Sequence, residues 1–151
     1  MGNALSSAEQ AALKKSWAAI KPNAQKTGIE TFVKLFKDNP KYKAKFWRIK
    51  DVSNDKLNSN KALHCHSLMF TRAVGAMAEN IEDTQMIDEV CHRLAYRHRR
   101  LNINEKDLKV ATDIFIDKMG SGVDTKVWKT AFDKMNPTVG KYMKELEKAG
   151  I

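Results

Sequence analysis

One apolar helical stripe carries an imidazole. Ile87, Cys91, Leu94, His98 and Leu101 recur at steps of 4, 3, 4 and 3, the spacing that aligns one face of an α-helix. Arg93, Arg97 and Arg100 fall on the other side. A ring that titrates near neutrality therefore faces the interior while guanidinium groups face water. A core histidine with a hydrogen-bond partner would give the same pattern, so the stripe alone does not assign chemistry. A second histidine adds to it. His66 shares a face with Leu63, Phe70, Ala73, Val74 and Met77. From His66 to Glu79 is about 20 Å of helix, and from Glu89 back to His98 about 14 Å, at the helical rise per residue. The path out nearly equals the path back. A hairpin of this length returns His98 opposite His66, with an apolar slot between them that Phe70 would line.

The rest of the chain supports an all-α fold. Gly and Pro number only 7 and 3 in 151 residues, and no stretch alternates Val, Ile and Thr between turns as a half-buried strand would. The length suits a single domain, residues 1–151, with a real core. No apolar run is long enough to span a membrane, and the start lacks the pattern of a secretory signal. Cys65 and Cys91 lie far apart and read as reduced thiols of a cytoplasmic protein. The net charge of +9, from 27 basic and 18 acidic residues, permits an anionic partner. The lysines are spread along every helix among acids, however, with Arg97, Arg99 and Arg100 the only tight cluster. That distribution is a solvated basic surface rather than a nucleic-acid docking stripe.

The helices can be placed in order. Ser6 and Glu9 form a capping box that opens a helix burying Leu13, Trp17 and Ile20, interrupted at Pro22 and Asn23. A helix over residues 25–37 turns Gly28, Phe32, Leu35 and Phe36 inward. Glycine in a helix interior costs about 0.5–1 kcal/mol relative to alanine, so Gly28 implies close approach of another helix. Asn39-Pro40 marks a corner, followed by Tyr42, Phe46, Trp47 and Ile49 and a polar, turn-rich stretch over 53–60. The His66 helix covers 60–79, a polar connection 81–85, and the His98 helix 86–99. Asn104 to Asp107 caps a helix to about residue 119 that buries Leu108, Ala111, Ile114 and Phe115. After Gly120-Ser121-Gly122, the last helix over 125–148 buries Trp128, Ala131, Phe132, Met135, Val139, Met143 and Leu146. Pro137 inside it predicts a kink near Asn136.

Two neutral imidazoles facing across a flat apolar slot suit the axial positions of a haem iron. The string His64-Cys65-His66 suggests zinc on paper. Residues two apart on a helix diverge by about 200°, and a structural zinc site needs four convergent ligands. His64 lies off the apolar face and reads as partly exposed, and Cys65 as a packed thiol with nothing adjacent to lower its pKa.

From about Leu5 to Leu146 the chain resembles the animal globins. Trp17 matches the usual first-helix tryptophan, and Gly28 with Ser67 the small residues where the second and fifth helices cross. Pro40 and Phe46 fall where globins have the corner proline and the phenylalanine that stacks on the porphyrin. His66 to Phe70, with Ala73 and Gly75, falls on the distal helix. Leu94, Ala95 and His98 fall on the proximal helix, and Ile103 on the segment touching the haem edge. The stretches Asp51-Val52-Ser53, His66-Ser67-Leu68 and Tyr142 to Leu146 look most like bivalve-mollusc intracellular haemoglobins.

The resemblance implies a globin fold of seven to eight helices around a haem b pocket. His98 would be the proximal iron ligand, its Nδ1–H donated to a carbonyl one turn back at Leu94. His66 would be the distal residue, donating to bound dioxygen or taking the sixth iron position itself. Phe32, Phe46, Phe70, Leu94 and Ile103 would line the cofactor, and Arg97, Arg99 or Lys50 would meet its propionates. The implied function is reversible binding of dioxygen and other diatomic gases, for storage or transport. Its alternatives are redox chemistry (nitric-oxide dioxygenation, nitrite reduction or a peroxidase-like reaction) and a membrane-attached redox or gas-sensing role. Phe32 stands where many dioxygenase and sensor globins of bacteria have tyrosine, which favours simple gas binding. Bivalve-type pairing through the two haem-flanking helices would use Arg72, Tyr96 and Arg97 in a homodimer. Residues 1–5 form an N-terminal tail, and Met1-Gly2-Asn3-Ala4-Leu5-Ser6 fits the pattern for Gly2 myristoylation. A single acyl chain holds a membrane only marginally, so the basic surface would have to assist.

Overall fold

A computed structural model describes residues 5–151, and the Gly2 acylation expected from the first residues lies outside that range. Seven α-helices follow one another: α1 (Ser7–Ile20), α2 (Ala24–Asp38), α3 (Pro40–Lys43), α4 (Lys61–Glu79), α5 (Thr84–His98), α6 (Glu105–Lys118) and α7 (Thr125–Lys148), with 3-10 turns at Lys21–Asn23 and Asn54–Ser59. The described residues contain no strand. None of their helices is long and apolar enough to cross a membrane.

Side-chain caps set most of the helix starts. Ser6 Oγ accepts the Glu9 N–H at 3.2 Å while the Glu9 carboxylate accepts the Ser6 N–H at 2.8 Å, a reciprocal box that satisfies two orphan donors. Asn104 and Asp107 repeat it at α6. Asn60 opens α4, Asp83 opens α5 and Asp124 opens α7, each accepting a first-turn N–H.

Two apolar clusters form the interior. The larger joins α1, α4, α5, α6 and α7 through Leu13, Trp17, Met77, Ile87, Phe115 and Trp128. The smaller joins α2, α3 and the corner to α4 and α6 through Phe32, Phe36, Leu57, Leu63 and Ile114. Phe70 packs against both. Glycines set how closely α4 meets its neighbours. A Cβ on Gly28 would lie 2.8 Å from Thr71 Cγ2 and 3.2 Å from the Ser67 carbonyl oxygen. The close approach expected of Gly28 is thus real, with Ser67 as its counterpart and Thr71 beside it. Gly75 lies beneath the Trp17 ring in the same way.

Several local expectations are corrected. The His98 helix starts at Thr84, two residues early, because Asp83 caps it. Ile81, assigned to a polar connection, is buried in the larger cluster. The helix ends at His98, and Arg100 takes a φ of 68°, so Leu101 leaves the stripe and is exposed. Trp47, grouped with the apolar corner, is 79% exposed. Cys65, read as packed, is exposed, while Cys91 is buried. Pro137 lies inside the last helix, as expected, on its exposed side. Buried Asn136 next to it donates its amide to Thr112 Oγ1 at 3.0 Å, which ties α7 to α6.

Candidate functional site

α4 carries His66 against the smaller apolar cluster, and α5 carries His98 at the edge of the larger. His98 lies in the last turn of α5 and donates its Nδ1–H to the Leu94 carbonyl oxygen, 2.8 Å away. A backbone carbonyl only accepts, so this bond fixes the tautomer and leaves Nε2 with its lone pair. Among the described residues no group hydrogen-bonds to that Nε2. Burial pushes the His98 ring below the usual imidazole range, and the Leu94 bond opposes it only in part.

His66 is held by rings. The Phe32 and Phe46 centroids lie 4.7 and 4.8 Å from its own, nearly perpendicular at 82° and 84°. Neither of its nitrogens has a hydrogen-bond partner among the described residues. Burial first, and the nearby charge of His98 second, push its pKa down to about 4. Both rings are neutral at pH 7.

The rings around His66 continue into a wider aromatic network. Phe70 meets Phe32 at 5.3 Å and Phe115 at 5.1 Å, both edge-on. Phe46 packs against Phe36 at 4.9 Å. Leu94 and Ile103 line the larger cluster, half-buried. Of the expected lining residues, Phe32 and Phe46 meet His66, Leu94 bonds to His98, Ile103 packs on the larger cluster, and Phe70 packs against both clusters. Partial burial of His66, Phe46, Phe70, Leu94, His98 and Ile103 is what residues facing a cleft rather than a filled core would show.

Residues outside the pair separate clearly. His64 turns away, its Nε2 2.6 Å from the Asn58 carbonyl oxygen. No group of three or more His, Cys, Asp or Glu residues converges for a metal among the described residues. Arg97 and Lys50 are exposed. Arg99 folds back over Tyr96, its guanidinium 3.5 Å from the ring centroid and Nη1 donating to the Tyr96 carbonyl. A residue missed in the sequence is Lys45. Its ammonium crosses to the loop after His98 and donates to the Leu101 and Asn102 carbonyls at 2.7 and 3.2 Å. Only its place next to Phe46 could have drawn attention to it.

A neutral imidazole with a free Nε2 on α5 and a second one set among aromatic rings on α4 can serve a metal held in a flat, apolar macrocycle. The donor chemistry fits haem: imidazole for the iron, apolar rings for the porphyrin, and no carboxylate hydrogen-bonded to either imidazole.

Comparison with known proteins agrees. The Globin family model matches residues 29–143. Haemoglobin-2 of Phacoides pectinatus is 25% identical over 148 residues, covering 94% of this chain and 97% of its own. The Globin-2 B chain of Anadara inaequivalvis is 31% identical over 95 residues, 62% of each chain. Among solved structures, a hexacoordinated heme protein from an anhydrobiotic tardigrade superposes with a TM-score of 0.84 at 15% identity, over 93% of this chain and 96% of that one.

Proposed function

The chain belongs to the globin family, and on that premise we propose that it holds haem b between His98 and His66 and binds dioxygen reversibly, for storage or transport in the cytoplasm. Haem supplies a ferrous iron that takes up diatomic gases. The rest is the work of the protein.

The observation that carries the reading is the His98 bond to Leu94. It holds the imidazole in one tautomer and one orientation, with Nε2 free to ligate. The partner is a neutral carbonyl, so the ring stays a neutral imidazole and takes on no imidazolate character. His66 stays neutral for the same reason that it is desolvated. A neutral imidazole has one N–H donor and one lone pair. The donor can hydrogen-bond a gas that carries partial negative charge. The lone pair can ligate iron directly. Phe32, Phe46 and Phe70 would keep water, and with it protons, from a haem held there.

The second reading, a redox or gas-sensing globin with both imidazoles on the iron, has its own support. Neither nitrogen of His66 has a hydrogen-bond partner among the described residues, and the tardigrade neighbour is a hexacoordinated heme protein. The optical spectrum of the ferrous, deoxygenated protein separates them. One broad visible band that splits on admission of air means an open sixth position and supports gas carriage. Two sharp bands present before any gas is added mean that His66 occupies the iron, and the redox reading takes its place.

A further inference from the structure

We propose that Lys45 is a positioning residue that ties the corner carrying Phe46 to the loop following His98 and thereby holds the proximal histidine at its working distance from His66. The inference rests on the haem reading above. The loop between α5 and α6 has little else to hold it. Arg100 and Asn102 take φ of 68° and 50°, left-handed conformations that are disfavoured for residues with a side chain. Leu101 between them is exposed. An open cavity of about 760 Å³ lies along the loop, lined by His98, Arg100, Asn102, Ile103 and Met143 among others, so packing does not clamp it from that side.

The hydrogen bonds tell the same story. Arg99 bonds back to Tyr96, and Asn104 caps its own helix. Among the described residues, the bonds from Lys45 are the ones that reach residues 99–103 from a distant part of the chain, and they bridge 56 and 57 positions. The same residue precedes Phe46, whose ring braces His66 at 4.8 Å. One ammonium therefore links the wall behind His66 to the segment leaving His98. If this tie opens, the loop can relax from its left-handed conformation, and the last turn of α5, which carries His98, loses its outer anchor.

The test compares wild type with Lys45→Met, which keeps the stem and removes the donors, and with Lys45→Arg, which restores them. Haem transfer to an excess of a haem-free acceptor globin should be about three- to tenfold faster for the methionine variant, the range expected for losing an ordinary hydrogen bond at a partly exposed site. The arginine variant should stay near wild type. Amide hydrogen exchange over residues 94–104 should rise in the methionine variant alone, measured on haem-free protein. Any drop in the urea midpoint of that protein should be small beside the rise in local exchange, which separates a tie at the cleft from a general loss of stability. Wild-type transfer and exchange rates in Lys45→Met would overturn the proposal, as would equal changes in both variants, since these would assign the effect to packing. If wild type fails to take up haem in a stoichiometric titration, the haem reading fails, and the exchange measurement still decides whether Lys45 ties the loop.

Discussion

The His98 ring and the Leu94 carbonyl are joined by a 2.8 Å hydrogen bond within the last turn of α5. Because the acceptor is backbone, no substitution at Leu94 deletes it, and the ring itself has to be removed. His98→Gly should lose tight haem binding, with no stoichiometric Soret end point in a haemin titration. Added imidazole should restore the spectrum, since the free ring can occupy the space and supply the nitrogen. Stoichiometric haem uptake by His98→Gly without imidazole would refute the ligand assignment.

His66 offers its donor from between two phenylalanine rings. Replacing it with leucine keeps the wall apolar and removes the N–H. The oxygenated form of His66→Leu should oxidise at least several-fold faster than wild type, as expected for losing a hydrogen bond of about 1–3 kcal/mol. The absorbance change on standing in air measures this. An unchanged rate would mean that His66 does not reach the ligand.

Acid should weaken the haem-free protein through these two rings. Burial lowers His66 from 6.5 to about 4 and shifts His98 in the same direction. Unfolded, each ring binds its proton as pH falls through the ordinary value. Folded, His66 does so only near pH 4. Between those limits the unfolded state holds more protons, so stability falls as pH falls. For His66 the full effect is about 3 kcal/mol, from 1.36 kcal/mol for each tenfold change in proton affinity. Urea midpoints should drop from pH 7 to pH 4.5 in wild type and drop less in His66→Leu. Parallel curves would show that His66 does not contribute.

Much of this was legible because it is local. The Ser6 and Asn104 caps, the inward face of α2 and the stripes bearing His66 and His98 all follow from spacing within a turn or two. Even the close approach at Gly28 could be inferred, since a glycine that weakens a helix needs a packing reason. The errors arise where tertiary contacts override the local pattern. Leu101 continues the spacing of the stripe, but the backbone turns left-handed at Arg100 and carries it outside. Ile81 sits among polar residues and is buried because the chain folds it into the larger cluster. Lys45 gave no periodic signal, since its partners lie 56 and 57 residues away.

The thiols should differ sharply in reactivity. Cys65 is exposed, whereas Cys91 is buried and its thiol is pushed up to about 11, by desolvation first and by Asp88 second. The thiolate is the reactive form, so Cys91 is protected both by access and by protonation. A chromogenic disulfide reagent at pH 8 should titrate one thiol quickly in the native protein and the second only in denaturant. Two fast thiols would contradict the packing of Cys91 in the larger cluster.

Gly75 tests how tightly α1 is seated on α4. A Cβ there would lie 2.6 Å from Trp17 Cζ2 and 3.1 Å from Cε2. The ring cannot easily move aside, because its Nε1–H donates to Glu79 at 3.0 Å and its edge meets Trp128 at a centroid distance of 6.2 Å. Alanine gains about 1 kcal/mol of helix propensity over glycine, while forcing extra volume into a packed contact costs about 1–3 kcal/mol. The clash should win, so Gly75→Ala should lower the urea midpoint. Gly28→Ala meets the movable Thr71 methyl group as well as the Ser67 backbone, and pairing it with Thr71→Ser should recover part of its loss. A Gly75→Ala protein more stable than wild type would show that Trp17 has room to yield and that α1 is not held at this crossing.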